Sequence, residues 1–272
     1  MGEVLIPGAF WIALLFSLFA GMTHAIGALL AVLPRATNHR FTGIALSFSA
    51  GALLLVAMGQ ALPGSYESLA REQGTGGALL LVSTSMVVGV VGLILMSRIA
   101  SRVGVDKEDS STWSGPSSVD RATVTRTGSV VAVALILYNF PEGFMTFATT
   151  LEDPRIGILV AVAVAISNIP EGMAIATPIY SATGDRWKAF RWGSLSGLAE
   201  PVGALIGFAL LRSVLTPTVT SMTIAGAAGI MVYISMTQLV PLARTYGSSR
   251  VGLASFLAGS VTALVGLALV SG

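Results

Sequence analysis

The chain has no cysteine, which excludes disulfides, thiolate ligands and thiol redox chemistry. Charge is scarce as well. Only 10% of residues are charged, against about 25% in a soluble domain, which excludes a surface that mostly faces water. His-Glu-x-x-His, Gly-x-Ser-x-Gly and Gly-x-x-x-x-Gly-Lys are all missing. Nothing therefore points to ATP-driven work or serine–histidine hydrolysis, and an enzyme is not expected.

What is present is apolar: 54% of the 272 residues are hydrophobic and the mean hydropathy is +0.82. Eight runs, soft at their ends, cover residues 8–33, 41–62, 77–98, 127–150, 156–180, 189–212, 219–243 and 250–270. Each is close to the roughly 20 residues that cross a bilayer as a helix, and none alternates like a barrel strand. The expected fold is an all-α integral membrane protein forming one transmembrane domain over 1–272. Its only sizeable polar stretch, 99–126, reads as a flexible cytoplasmic loop. The first run is too long for a signal-peptide core and Glu3 stands where a basic start is usual, so it reads as retained.

The net charge of +2 is a topology signal, and nucleic acid is not an expected partner. Taken with the soft span ends, the odd-numbered connections hold 12 Lys and Arg and the even-numbered ones 3. The positive-inside rule then places the odd connections in the cytoplasm and both termini outside the cell membrane.

The chain repeats itself. Gly21-Met-Thr-His24-Ala-Ile-Gly27-Ala-Leu29 matches Gly197-Leu-Ala-Glu200-Pro-Val-Gly203-Ala-Leu205. Ala50-Gly51 through Met58, Gln60 and Pro63 matches Ala228-Gly229 through Met236, Gln238 and Pro241. Val91-Gly-Leu93 matches Val265-Gly-Leu267. Runs one to three thus resemble runs six to eight. By the charge count the copies cross the membrane in opposite directions, an inverted repeat of the kind that lets one midplane site face either side.

Between the copies lie two polar motifs 29 residues apart, Tyr138-Asn139-Phe-Pro141-Glu142-Gly143 and Ser167-Asn168-Ile-Pro170-Glu171-Gly172. An ionisable side chain at bilayer depth costs roughly 2.5–3.5 kcal/mol on insertion scales, so it is a functional candidate by default. Positions three and four apart share a helix face, which aligns Asn and Glu within each motif. Each proline also frees a backbone carbonyl one turn earlier. Two carboxylates, two carboxamides and freed carbonyls make an oxygen-rich cage suited to a divalent cation. The bland alternative is that Asn and Glu only bond helices together. Glu200 is a third intramembrane acid. Its repeat partner His24 either lines the pathway or packs in a hydrogen bond. Gln60 and Gln238 read as interhelical bonding groups or path-lining groups. Met58 and Met236 read as soft ligands or as packing.

The paired Asn-x-Pro-Glu-Gly motifs resemble the fourth and fifth helices of ZIP divalent-metal transporters. Thr23–Ala28 and Gly197–Pro201 resemble the first and sixth helices of bacterial members. The resemblance implies eight helices in a three-two-three arrangement with outside termini, importing zinc, iron, manganese, cobalt or cadmium as cargo with no prosthetic group. It implies that Asn139, Glu142, Asn168, Glu171 and Glu200 hold the metal. The expected partners are divalent metal ions and the lipid bilayer, with a homodimer as a further candidate. The chain departs from the family where histidine is usual, at Tyr138 and Ser167. It departs again at Gln60 and Gln238, where acids are common. With fewer imidazoles, the remaining oxygens lean towards harder ions such as manganese or iron. A single altered site, a diverged member that carries something else, a proton-coupled carrier of another solute and a metal-binding protein without flux all stay open. Replacing Tyr138 and Ser167 by histidine is expected to shift metal competition towards zinc. An unchanged competition profile would remove the ligand-hardness argument.

Overall fold

The computed structural model describes residues 7–33, 39–103, 121–152, 154–211 and 216–271. Among them nearly everything is helical. The elements are α1 (Pro7–Met22), α2 (His24–Val32), α3 (His39–Val56), α4 (Leu62–Val103), α5 (Arg121–Glu152), α6 (Pro154–Thr183), α7 (Arg186–Ser196), α8 (Ala199–Ile206), α9 (Pro217–Ile234), α10 (Val240–Tyr246) and α11 (Ser249–Ser271). Wider π-helical turns follow α3, α8 and α9, at Ala57–Ala61, Gly207–Leu211 and Ser235–Leu239.

Six helical stretches among the described residues are long and apolar enough to cross a bilayer: Gly8–Val32, Arg40–Leu95, Ala122–Leu151, Val160–Thr183, Pro217–Tyr246 and Ser249–Ala268. The expected connection 63–76 is not a loop. Helix α4 begins at Leu62 and runs through it, interrupted at Gly74, whose backbone (φ 71°, ψ 170°) is one that side-chain-bearing residues rarely adopt. Most of the expected loop 99–126, residues 104–120, lies outside the described residues, and its two ends belong to α4 and α5.

Large apolar side chains face outwards as well as inwards. Trp11, Leu15 and Phe19 on α1, Leu80 and Val87 on α4, and Leu253, Leu257, Val261 and Leu264 on α11 are all exposed. They recur at helical spacing, so each helix shows a continuous apolar face outwards, as a membrane requires. The interior combines large apolar side chains such as Leu46, Leu135 and Phe147 with small and polar residues such as Ala20, Ala28, Ser49, Asn139 and Asn168. Helix α6 is central: 75% of its apolar window is buried, against 17% for α11.

The sequence repeat reappears in the backbone. The first copy breaks at Thr23 (φ −68°, ψ −17°) and the second at Gly197–Leu198 (Leu198 φ −69°, ψ −15°), dividing α1 from α2 and α7 from α8. The π turns Ala57–Ala61 and Ser235–Leu239 fall at equivalent places. They close with Leu62 N–H donating to Ala57 O and Val240 N–H donating to Ser235 O. Each precedes a proline, Pro63 or Pro241, whose missing N–H disrupts the regular ladder.

Packing is reciprocal too. Helix α2 lies on α6 as α8 lies on α5, and α4 pairs with α9 as α11 pairs with α3. Gly21 and Gly197, equivalent in the repeat, face one another so closely that a Cβ on either would collide with the other's carbonyl. Small residues allow such contacts between membrane helices. Gly21→Val and Gly197→Val should therefore each destabilise the protein by about 1–3 kcal/mol, read as similar losses of melting temperature in detergent. A loss in one variant and none in the other contradicts the reciprocal contact.

Candidate metal centre

The breaks in the first and second copies create the site. At each break the helix ladder is irregular: Ala20 O accepts an i, i+3 bond from Thr23 N–H at 3.1 Å, and the motif carboxamides pack against the carbonyls there. Asn168 Nδ2 donates to Ala20 O at 2.9 Å. The Asn139 carboxamide comes within 3.4 Å of Ser196 O, the repeat equivalent of Ala20 O. Thr23 Oγ1 lies 2.6 Å from Ala20 O and 2.8 Å from Ala165 O, tying the break to α6. Sequence reasoning missed this tether, although Thr23 sits beside His24 in the repeat.

His24 opens α2 and Glu200 lies in the first turn of α8, so each enters from a helix start. Gly143 abuts the Glu200 backbone and Gly172 the His24 backbone, with no room for a methyl group at either glycine. The motif glycines thus bring α8 against α5 and α2 against α6, and the polar side chains converge from four helices.

Asn168 Nδ2 also donates to Glu200 Oε1 at 2.6 Å. His24 Nε2 lies 3.4 Å from Glu171 Oε2, and Nδ1 lies 3.8 Å from Glu200 Oε1. Asn139 is wedged between His24 and Glu171. In the orientation that satisfies its neighbours, Oδ1 accepts from His24 Nε2 at 2.9 Å, and Nδ2 donates to Leu135 O at 3.2 Å and to Glu171 Oε2 at 3.0 Å. Tyr138, in the place of the expected histidine, donates its hydroxyl to Glu142 Oε1 at 2.8 Å.

His24, Asn139, Asn168, Glu171 and Glu200 have no exposed surface, Tyr138 is buried and Glu142 is half-buried. Four buried oxygens in this cluster have no protein partner: Glu142 Oε2, Asn168 Oδ1, Glu171 Oε1 and Glu200 Oε2. Each unmatched buried polar atom costs about 1–3 kcal/mol, so four together at one place call for an explanation. Their chemistry fits a hard or borderline divalent cation. Among the described residues, no three His, Asp or Glu side chains are arranged to hold a metal without help. The carboxamides are integral to the polar cluster.

The other sequence candidates fall elsewhere. Gln60 lines a cavity of about 630 Å³ together with Tyr138, Glu142, Ser65 and Thr146. Gln238 lines a second cavity of about 420 Å³ with Arg98, Arg126 and Tyr233. From their lining residues, the cavities sit at opposite ends of α4, α5 and α9, as repeat-equivalent positions in oppositely directed copies should. Met58 is 54% exposed and Met236 49%, so neither is drawn into the cluster. The Ser167 side chain lies outside the described residues. Thr146, one turn beyond Glu142, was missed. Its Oγ1 is buried without a partner, and the i, i+4 spacing from Glu142 was the available signal.

Comparison with known proteins gives a coherent result. Residues 101–272 match the family described as ZIP Zinc transporter. A zinc transporter ZupT of Chlorobium limicola is 40% identical over 263 residues, covering 96% of this chain and 99% of that protein. ZupT of Corynebacterium efficiens is 39% identical, covering 93% of this chain and 95% of its own length. ZupT of Clostridium perfringens is 35% identical, covering 94% and 95%.

Asn168→Leu keeps the bulk but strips the donor from Ala20 O and Glu200 Oε1. It should destabilise the detergent-solubilised protein by about 2–3 kcal/mol, because a bond to a buried carboxylate is lost. An unchanged unfolding midpoint would show that this contact does not hold α1, α6 and α8 together.

Proposed function

We propose, because the chain belongs to the ZIP family of metal transporters, that it imports divalent transition-metal cations by alternating exposure of the cluster between α2, α5, α6 and α8. Membership makes it a multi-pass membrane protein that carries divalent metal and is not an enzyme. The finer reading assigns the ion to Asn139, Glu142, Asn168, Glu171 and Glu200. The observation that carries it is the set of four buried, unpartnered oxygens on Glu142, Asn168, Glu171 and Glu200. A dication brought among these anions nearly neutralises them and occupies acceptors that the protein leaves open.

The proposed route uses the two cavities. The larger one touches Glu142 and is otherwise lined by Gln60 and hydroxyl groups. We assign it to the external side, because it lies at the end of α5 remote from the basic connection. The smaller, carrying Arg98 and Arg126, is assigned to the cytoplasmic side by the same charge rule. Reciprocal packing about Gly21 and Gly197 supports two halves able to tilt against one another around the site.

An eight-span, three-two-three arrangement with external termini is part of the proposal. Two features support it. Residues 40–95 form 56 residues of helix, far more than one crossing of about 20 residues, with a break available at Gly74. The paired short helices α7 and α8 supply the remaining crossing as the counterpart of α1 and α2. The whole chain is read as one domain in the cell membrane. The names of the curated relatives point to zinc within the set zinc, iron, manganese, cobalt and cadmium.

Metal uptake into proteoliposomes tests the assignment. Glu142→Ala and Glu171→Ala should each lower initial uptake by about tenfold or more, as loss of groups around a metal does. Unchanged uptake in both variants removes these carboxylates from the pathway. Flux driven by acid with no metal dependence favours a proton-coupled carrier of another solute, and binding without flux favours a non-transporting protein.

A further inference from the structure

The departures from the family pattern leave the two motifs without an imidazole, with Tyr138 and Ser167 standing where histidine is usual. The fold brings an imidazole to the cluster from a different helix. His24, first residue of α2, is fully buried and reaches the cluster across the helix break. Its repeat equivalent is Glu200, so the asymmetry between the copies places a nitrogen donor on one side of the site and an oxygen donor on the other.

The ring is held as a metal-binding histidine usually is. When Nε2 gives up its proton to bind a metal, the remaining ring proton sits on Nδ1, 3.1 Å from Gly21 O, a carbonyl that can only accept, and this fixes the orientation of the ring. Nε2 is then the nitrogen that faces the cluster, 2.9 Å from the Asn139 carboxamide and 3.4 Å from Glu171 Oε2. Adjacent donors around a metal at about 2.1 Å stand roughly 3.0–3.4 Å apart, so these two separations match the edges of a coordination polyhedron. Glu171 also keeps Oε1 unpartnered beside it.

The geometry points to His24 Nε2, Asn139 Oδ1 and Glu171 as a mixed nitrogen–oxygen subsite that selects borderline cations, zinc and cobalt, over manganese. The inference rests on the transport-site reading above and changes its expected selectivity. The imidazole missing from α5 and α6 is supplied by α2, so the site is not purely oxygen. Asn139 and Glu171 are shared with the proposed transport set; the addition is the His24 nitrogen and the preference it confers.

The sequence makes the test clean, because His24 and His39 are the only histidines. The full-length protein, carrying His39→Gln and freed of any histidine tag, is loaded with zinc and examined by X-ray absorption at the zinc edge. The expected spectrum shows the outer-shell scattering of one imidazole, and His24→Asn abolishes it. Zinc bound in an oxygen-only shell overturns the His24 proposal while leaving the carboxylate site standing. No zinc bound at all overturns both. In competition binding, His24→Asn should weaken zinc by about tenfold or more, with a much smaller loss for manganese. Equal losses for both metals mean that His24 only packs the helices, which also overturns the proposal.

Discussion

An ionisable carboxyl group inside a bilayer has no water to solvate it, and the rest of this molecule is arranged around that fact. Glu171 and Glu200 are fully buried and Glu142 is half-buried, yet one oxygen of each is left without a protein partner. Evolution had simpler ways to fill the space, since leucine or methionine would pack without a polar penalty. The acids there are partly satisfied by Asn168, Asn139 and Tyr138, and the oxygens left over are the ones to which the proposed function assigns a cation.

Holding such a site demands rigid neighbours. Beside the helix breaks at Thr23 and Gly197–Leu198, the carboxamides of α5 and α6 lie against Ser196 O and Ala20 O, at the place where His24 and Glu200 enter. Glycines at 143 and 172 allow the backbones to meet. The same few devices are used twice, once in each copy, down to the π turns before Pro63 and Pro241. Near symmetry of this kind supports the proposed exposure of one site to either side in turn.

Function enters where the symmetry fails. A histidine in one copy faces a glutamate in the other, and a tyrosine occupies the position where the family usually has an imidazole. Tyr138 is not idle there, since its hydroxyl holds Glu142 Oε1. In the proposed site the ligand chemistry is spread over α2, α5, α6 and α8. The motifs of α5 and α6 contain no imidazole, and the nitrogen beside Asn139 and Glu171 arrives from α2.

Much of this was legible in the chain. Membrane insertion followed from long apolar runs with little charge, because hydrocarbon tolerates little else. The repeat followed from glycines and prolines in register, and the acid–amide motifs marked themselves out by their cost in lipid. Family membership also showed in the motifs. Apolar periodicity ran through the helix breaks at Thr23 and Leu198 unaltered, although Gly197 and Pro201, which has no N–H to donate to Gly197 O, stand at the second. Nor could periodicity show that residues 63–76 are helical, because a polar segment between apolar runs reads as a loop whether or not it continues a helix. The residues of the site were set by sequence, where local pattern and desolvation cost speak for themselves. Which of them touch was set by the tertiary structure alone: contacts between residues more than a hundred positions apart, such as His24 with Asn139 and Glu171, depend on close helix packing that no local pattern encodes.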